Sequence, residues 1–249
     1  MTKVSPAALR FGSALCLLLG WQVAAWWSQS SLLPGPLPVL QLILRETIDG
    51  QLIHHLGATL RRVILAFLIA MLIGSLVGIL MGRWRTIDLV LDPWLILFLN
   101  IPALVIIILA YVWFGLAEAT AIFAIALNKI PNVVVILREG ARTLDRDYLE
   151  MARSYDLGRA KTLIYVVLPQ LLPYFAVAAR SGLSLIWKIV LVVELLGRND
   201  GVGFVLHVYF QLFDVTGILA YSLSFILVML VIEYALLQPL ERNANRWRR

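Results

Sequence analysis

Six long apolar runs divide the sequence, and polar or glycine- and proline-rich stretches separate them. Each run comes close to the roughly 20 residues that an α-helix needs to cross a hydrocarbon core about 30 Å thick. Because lipid offers no hydrogen-bond partner to exposed backbone, the runs are predicted to be helical. The predicted spans are residues 8–27, 56–81, 92–114, 119–137, 172–196 and 217–240.

The composition agrees with a membrane protein. Of the 249 residues, 61% are hydrophobic and 14% are charged, whereas a soluble domain carries about 25% charged residues. The net charge is +6, which in a soluble protein would suggest nucleic acid as a partner. Here the excess of positive charge is interpreted as a topology signal, so the predicted surroundings are membrane lipid and no nucleic acid.

The distribution of Lys and Arg predicts the orientation. With six spans and a cytoplasmic N-terminus, fourteen of these residues lie in cytoplasmic segments and four in outer ones. The predicted fold class is therefore an all-α polytopic membrane protein with six transmembrane helices and both termini in the cytoplasm. Arg61 and Arg62 fit least well, because they lie near the outer end of the second span, which is interpreted as extending beyond the bilayer.

The N-terminal region 1–55 is predicted to hold the first span and an outer amphipathic segment. Bulky Trp21, Trp26 and Trp27 stand where a signal peptide would need small residues, so an uncleaved span is favoured over a cleaved signal. Residues 28–38 contain three prolines and are expected to interrupt regular structure. A solvated helix start is favoured for His54 and His55, and a metal pair is the alternative. Residues 56–240 form the main predicted domain, and 241–249 form a basic cytoplasmic tail.

Gly74, Gly78 and Gly82 recur every four residues in the second span. Small residues at this spacing let another helix approach closely. Packing within the subunit is favoured over dimerisation.

A charged segment, residues 138–169, separates the fourth and fifth spans. Asp145 is predicted to cap a short helix on which Leu144, Tyr148, Met151 and Tyr155 form an apolar stripe. Gly158 is expected to end that helix in a left-handed conformation. The stripe favours a docking surface; the alternative is that it lies on lipid or on the protein's own spans.

The same segment resembles the cytoplasmic loop of inner-membrane permeases of bacterial ABC importers. That loop has the form E-A-A, a glycine six residues after the Glu, and I-x-L-P ending nineteen residues after it. This chain has Glu150-Met151-Ala152 and Val166-Val167-Leu168-Pro169 at the same spacing. It departs from the pattern at Met151 and at Asp156, which takes the place of the glycine, so the turn is expected at Gly158. Segments 56–82, 92–115 and 172–203 resemble the permeases for nitrate, sulfonate, taurine and related substrates.

The resemblance implies a cytoplasmic coupling helix between spans four and five that docks on an ATPase. Together with the apolar stripe and the expected turn, it gives the residues predicted to couple to the ATPase, which are Tyr148, Glu150, Met151, Ala152, Tyr155, Gly158 and Pro169. The implied partners are two cytoplasmic ATPase subunits, a second permease copy in a homodimer, and an external substrate-binding protein. No cofactor is expected in this chain, since ATP and Mg²⁺ would be bound by the ATPase, and the implied location is the bacterial inner membrane.

Polar residues inside the spans are the candidates for a transport pathway, because each ionisable one costs on the order of 3 kcal/mol in the bilayer. An interhelical pair or snorkelling is favoured for Arg180 and Glu233. The predicted pathway residues are Asn100, Lys129, Ser184, Trp187, Lys188 and Glu194. For Lys188 an ion pair is favoured over substrate contact, and for Glu194 an interhelical hydrogen bond that shapes the gate is favoured over direct pathway contact. Asn100, together with the prolines of spans three and four, predicts kinks that line a cavity, with simple bending as the alternative.

The sequence contains neither a nucleotide-binding P-loop nor a metalloprotease H-E-x-x-H pattern. No catalytic or metal site is predicted. The predicted function is the permease subunit of an ATP-driven importer for a small anion, with nitrate, bicarbonate, sulfonates, taurine and a pyrimidine as open substrates. A secondary transporter or channel is the first alternative, and an intramembrane enzyme is the second.

Overall fold

The computed structural model describes residues 6–30, 32–237 and 239, and these residues form helices and connections without a β-strand. The α-helices of this part are α1 (Pro6–Ser28), α2 (Pro36–Ile48), α3 (Gln51–Arg83), α4 (Arg85–Asn100), α5 (Ala103–Phe114), α6 (Glu118–Arg142), α7 (Arg146–Ser154), α8 (Arg159–Thr162), α9 (Leu168–Gly197), α10 (Val202–Gln211) and α11 (Val215–Ile232). The π-helical segments Leu163–Val167 and Glu233–Leu237 precede α9 and follow α11. The all-α prediction is confirmed, whereas the predicted basic tail lies outside the described residues.

Four helical stretches of the described chain are long and apolar enough to cross a membrane. They are Gln51–Arg83, Glu118–Arg142, Arg159–Gly197 and Val215–Ala235, and they correspond to predicted spans two, four, five and six. Helix α1 is not among them. Span one, the total of six spans and the position of both termini therefore stay predictions.

The third predicted span is not a single helix. Helices α4 and α5 meet at an angle of 98°, so together they form a broken span or a re-entrant loop. Pro102 disfavours the helical conformation at the residue before it, and Ile101 is extended, with φ −72° and ψ 126°. The Asn100 side chain donates to the Ile96 carbonyl at 2.7 Å, which satisfies an acceptor near the end of α4. The irregular backbone predicted in this span is therefore a break of 98° rather than simple bending.

The proline-rich stretch after α1 starts a helix rather than only interrupting one. Pro36 is the first residue of α2, a position where the missing N–H costs nothing. Helix α2 packs on the body of the protein through buried Val39 and through Glu46, which accepts a hydrogen bond from the Tyr221 hydroxyl at 2.8 Å. The Trp21 indole donates to the Pro34 carbonyl at 2.9 Å and links α1 to this turn.

The glycine row of α3 packs against α6 inside the subunit, as predicted. A Cβ atom on Gly74 would lie 2.6 Å from the Val133 Cβ, and one on Gly82 would lie 2.5 Å from the Ala141 Cβ. These distances are too short for any side chain, so the two backbones approach as closely as glycine allows. The close contact makes α3 and α6 the central pair of the fold.

We expect Gly78→Ala to lower the free energy of unfolding by about 1–3 kcal/mol, because its Cβ would lie 2.7 Å from the Val134 carbonyl oxygen and would push the helices apart. Gly57→Ala on the same helix is the matched control. Its Cβ would meet nothing within 4 Å, so we expect little change or a gain of up to about 1 kcal/mol in helix propensity. Thermal unfolding of the detergent-purified proteins measures both, and equal effects would contradict this packing role.

Charged groups lie at both ends of α6 and in its middle. At one end Glu118 meets Arg62 of α3, and at the other Arg138 meets Asp92 of α4 at 2.5 Å. Lys129 is buried between them, beside fully buried Ala126. Helix α6 therefore carries residues of three of the polar regions described below.

Candidate functional site

Helix α7 begins at the predicted cap. The Asp145 carboxylate accepts a hydrogen bond from the Asp147 backbone N–H at 2.9 Å, which satisfies a donor that the first turn leaves free. The Asp145 backbone N–H in turn donates to the Gln170 side chain at 2.9 Å, near the start of α9. Together with fully buried Ala152, these bonds fix α7 against the body of the protein.

The end of α7 differs from the prediction. Asp156, and not Gly158, adopts the left-handed conformation, with φ +49°, whereas Gly158 has φ −53° and precedes α8. The Leu157 N–H donates to the Ala152 carbonyl at 2.9 Å and the Asp156 N–H to the Arg153 carbonyl at 3.0 Å. This pair of bonds is a Schellman motif, which places its left-handed residue at Asp156. Asp156, which occupies the glycine position of the importer loop, therefore adopts the left-handed conformation that glycine would adopt there.

We expect Asp156→Gly to raise the free energy of unfolding by about 0.5–1 kcal/mol. Glycine adopts the left-handed region without the Cβ conflict, a gain partly offset by its greater freedom in the unfolded chain. Gly158→Ala is the control, because that residue has negative φ and open space around it. Thermal unfolding of purified protein compares the two, and a lower midpoint for Asp156→Gly would be inconsistent with this cap.

The outward face of α7 is apolar and accessible. Tyr148, Met151 and Tyr155 are 54%, 43% and 78% exposed. The stripe therefore does not pack on the spans of its own subunit, which was one of the alternatives. Glu150 is also exposed and has no ion pair within the described chain. The predicted docking surface, with Glu150 on the same helix, is thus available to another molecule.

A long helical rod begins a few residues after this surface. Residues Arg159–Gly197 form one continuous helical stretch of 39 residues that includes a π-helical turn before Pro169. Proline has no N–H to donate four residues back, and π-type register at such a site accommodates the missing bond. The rod connects the segment next to α7 with the opposite end of the protein.

At that opposite end a second polar site surrounds Arg62. Its guanidinium donates to Glu194 at 2.7 Å and to Glu118 at 2.8–3.2 Å, and it also contacts the Asp200 carboxylate. The side chains of Arg62 and Glu194 are both 0% exposed. We call these four residues the Arg62 cluster. It joins α3, α6, α9 and the turn after α9.

The glycine-rich turn after α9 folds over Glu194. The Gly203 N–H donates to the Glu194 carboxylate at 2.9 Å, and the Thr59 hydroxyl donates to the same oxygen at 2.9 Å. Gly201 has φ +100°, and a Cβ there would lie 2.4 Å from the Glu194 side chain. The cluster therefore holds a turn that only glycine can form.

His55 takes part in this turn, since its Nδ1 accepts a hydrogen bond from the Gly201 N–H at 3.1 Å. His54 is exposed, in agreement with the predicted helix start. No group of three metal-ligating side chains occurs among the described residues.

Asp200 carries a perturbed carboxyl group. Partial burial raises its pKa, but the hydrogen bond and charge of Arg62, with the charges of Arg198 and Arg61, outweigh that effect and hold the pKa below its usual value. Asp200 is therefore ionised over the neutral range and contributes negative charge to the cluster.

Sequence reasoning placed Arg62 outside the bilayer and did not recognise the cluster. A signal was present in the small-residue row of α3. Extended backwards in steps of four from Gly74, the row passes through Ala70 and Ala66 to Arg62, and these positions are all buried. Arg61 is one position off this row and is exposed.

The six predicted pathway residues do not lie on one exposed face. Ser184 and Lys188 are exposed on α9, whereas Trp187 is half-buried and packs edge-on against Phe225 at 6.1 Å. Glu194 lies in the interior as part of the Arg62 cluster, which agrees with the interhelical hydrogen bond considered for it. Asn100 is exposed at the break between α4 and α5.

The cations of the spans differ in their partners. Arg180 pairs with Glu233 of the last helical segment at 3.3 Å, as predicted. Lys188 has no ion pair within the described residues, so these supply no acid for the ion pair favoured from the sequence. Lys129 is 1% exposed, and its Nζ has no hydrogen-bond partner in the described part of the chain.

Comparisons with known proteins agree with this architecture. Residues 55–237 match the family model described as the inner membrane component of binding-protein-dependent transport systems. The putative aliphatic sulfonates transport permease protein SsuC of Escherichia coli is 34% identical over 82% of this chain and 77% of its own length. The taurine transport system permease protein TauC of the same organism is 30% identical over 94% and 87%. The crystal structure of an amino acid ABC transporter with histidines covers 79% of this chain and 95% of that one, with a TM-score of 0.63 and 23% identity.

Proposed function

The chain belongs to the family of binding-protein-dependent transport system inner membrane components, and we propose that it forms the translocation pathway of an ATP-driven importer for a small anionic solute. It is a multi-pass permease subunit of the bacterial inner membrane and has no P-loop of its own. ATP and Mg²⁺ would accordingly be bound by two ATPase subunits on the cytoplasmic side.

The exposed apolar face of α7 carries this proposal. A face with Tyr148, Met151 and Tyr155 directed away from the protein fits a groove on a soluble partner. Ala152 packs inward, while Glu150 is free to pair with that partner. The ATPase is the partner that the family supplies on the cytoplasmic side.

Six spans with both termini in the cytoplasm form the proposed topology. Helix α1 has 23 residues, about 35 Å of helix, which is enough to cross the bilayer. The α4–α5 pair would be the third span, broken at Pro102. The excess of Lys and Arg on the side of α7 supports this orientation.

The proposed substrate is an anion such as a sulfonate. The relatives named above are described as sulfonate and taurine permeases, and both of those solutes carry an –SO₃⁻ group. Lys129 and Lys188, which have no ion pair among the described residues, suit a negative charge in the pathway. The proposed pathway lies between two copies of this chain, near Asn100, Ser184, Trp187 and Lys188, and an external binding protein selects the solute.

In the proposed cycle, closure of the ATPase pair displaces α7. The displacement reaches α6 through the Thr143–Asp145 connection and α9 through the helical rod from Arg159. Arg138 carries it on to α4 by ion pairs with Asp88 and Asp92. The spans tilt as units, and the pathway opens toward the binding protein.

Reconstitution of the permease in liposomes with its ATPase and binding protein tests the proposal. We expect accumulation of radiolabelled taurine, an alkanesulfonate, bicarbonate or nitrate that requires both ATP and the binding protein. Uptake of the same anions by the permease alone under an ion gradient would favour the secondary-transporter alternative and overturn the proposal.

A further inference from the structure

Lys129 is a buried cation that the ion pairs of the protein leave unused. It lies eleven residues into α6, about 16 Å from the Glu118 end, so neither the Arg62 cluster nor the Arg138 ion pairs include it. Its side chain is 1% exposed, and Nζ has no hydrogen-bond partner among the described residues. Arg62 and Arg180, by contrast, both meet carboxylates.

The Lys129 side chain lies across a glycine of the neighbouring helix. A Cβ atom on Gly182 of α9 would lie 2.8 Å from the Lys129 Cε and 3.6 Å from its Nζ. Phe67 of α3 lies 3.6 Å from the same point. The lysine therefore fills the space that a side chain at position 182 would take, and the contact of three helices encloses its ammonium group.

Burial of the unpaired Lys129 ammonium lowers the stability of this conformation. A buried ammonium without a partner loses its hydration and receives no compensating charge. A methionine or leucine of similar volume would remove that cost. An ionisable residue inside a membrane is expected to have a functional partner, and the described residues supply none for Lys129.

Two of the three helices around Lys129, α6 and α9, are connected through α7. Helix α6 ends four residues before α7, and the rod that contains α9 begins at Arg159, shortly after it. A displacement of α7 therefore acts on both sides of the Lys129–Gly182 contact. Ser181 directly precedes Gly182, and its hydroxyl now donates to the Ala178 carbonyl of its own helix at 3.3 Å.

We propose that Lys129 is a gated anion-binding residue, enclosed by the α6–α9 contact at Gly182 in this conformation and presented to a small oxyanion when the two helices separate during transport. The ammonium supplies the charge, and the hydroxyl of Ser181, the residue before Gly182, supplies a further donor to sulfonate-type oxygens. The proposal rests on the proposed transport function. It adds a residue that favours anionic over neutral solutes, and only in the stage of the transport cycle in which α6 and α9 are apart.

Replacement of Lys129 tests the charge. The substrate is taurine or methanesulfonate, whichever the wild-type complex accumulates. In the reconstituted complex we expect Lys129→Met to lower uptake of this substrate at least tenfold. Lys129→Arg should retain part of the uptake, because it keeps the positive charge. The thermal midpoint of Lys129→Met should equal or exceed that of the wild type, because a buried unpaired charge is removed. Unchanged uptake would overturn the proposal, and a joint loss of uptake and thermal stability would assign Lys129 a structural role instead. Absence of uptake by the wild type would instead count against the proposed function.

The rate of chemical modification at position 129 tests the gating and does not depend on which substrate is transported. The native thiol Cys16 is replaced by Ser, Lys129 by Cys, and the complex is treated with 2-aminoethyl methanethiosulfonate, which attaches a primary amine through a disulfide. We expect modification at position 129 at least tenfold faster during ATP turnover than without ATP, with partial return of uptake. Ser184→Cys in the same background is the control, since its exposed position should react in both states. Equal rates at position 129 with and without ATP would overturn the gate.

Discussion

Arg62→Met lowers the free energy of unfolding by about 3–5 kcal/mol in our expectation, because it leaves the fully buried Glu194 carboxylate without its countercharge. Proteins of ordinary stability have only about 5–15 kcal/mol in total. We therefore expect a large fall in the thermal midpoint of the purified permease and a low yield from the membrane. The glycine-rich turn should lose order together with Glu194, since the Gly203 N–H donates to that carboxylate.

Arg61→Met is the matched control for this prediction. Arg61 is adjacent in sequence and also pairs with Glu118, at 3.0 Å, but its side chain is exposed, so we expect a change below about 1 kcal/mol. In the double variant Arg62→Met/Glu194→Leu, removal of both charges should recover part of the loss, as a buried pair replaced by apolar groups costs little. Equal effects of the two single arginine variants would contradict a central role for the Arg62 cluster.

The sequence was sufficient for the helices but not for their breaks. Apolar length predicted the four stretches that α3, α6, α9 and α11 form. It also marked Pro102 as irregular. The 98° angle between α4 and α5 could not be predicted, because a proline determines where a helix stops and tertiary packing determines the direction of the next one.

Part of the candidate site could likewise be predicted from the sequence and part could not. The cap at Asp145 and the apolar face of α7 follow from local rules, and both are present. The turn at Asp156 was misassigned because Gly158 is the more obvious left-handed residue, although the glycine position of the importer loop already indicated position 156. The partners of Glu194 lie 132 and 135 positions earlier in the chain, at Arg62 and Thr59, and no local pattern encodes such contacts.

Substitution of Glu150 should have the largest effect on transport. Glu150→Gln keeps the size of the side chain and removes its charge. Within the described chain Glu150 is exposed and has no ion pair, so we expect the free energy of unfolding to stay within about 0.5 kcal/mol of the wild type and membrane insertion to be unchanged. Loss of one partner of a charged pair at an interface costs about 2–5 kcal/mol. Since 1.4 kcal/mol corresponds to a factor of ten, we expect ATP-driven uptake to fall at least tenfold.

The measurement combines uptake with substrate-stimulated ATP turnover and copurification of the ATPase in the reconstituted complex. Asp49→Asn is the control, because Asp49 is an exposed carboxylate far from α7 in the fold, in the turn before α3, and pairs only loosely with Arg45 at 3.8 Å. It should leave ATPase copurification unchanged, whereas Glu150→Gln should weaken it or separate ATP turnover from uptake. Normal substrate-driven ATP turnover together with normal uptake in Glu150→Gln would exclude this carboxylate from coupling. Docking would then depend on the apolar face of Tyr148, Met151 and Tyr155 alone. Met151→Asp would become the decisive substitution, because Met151 is exposed on that face.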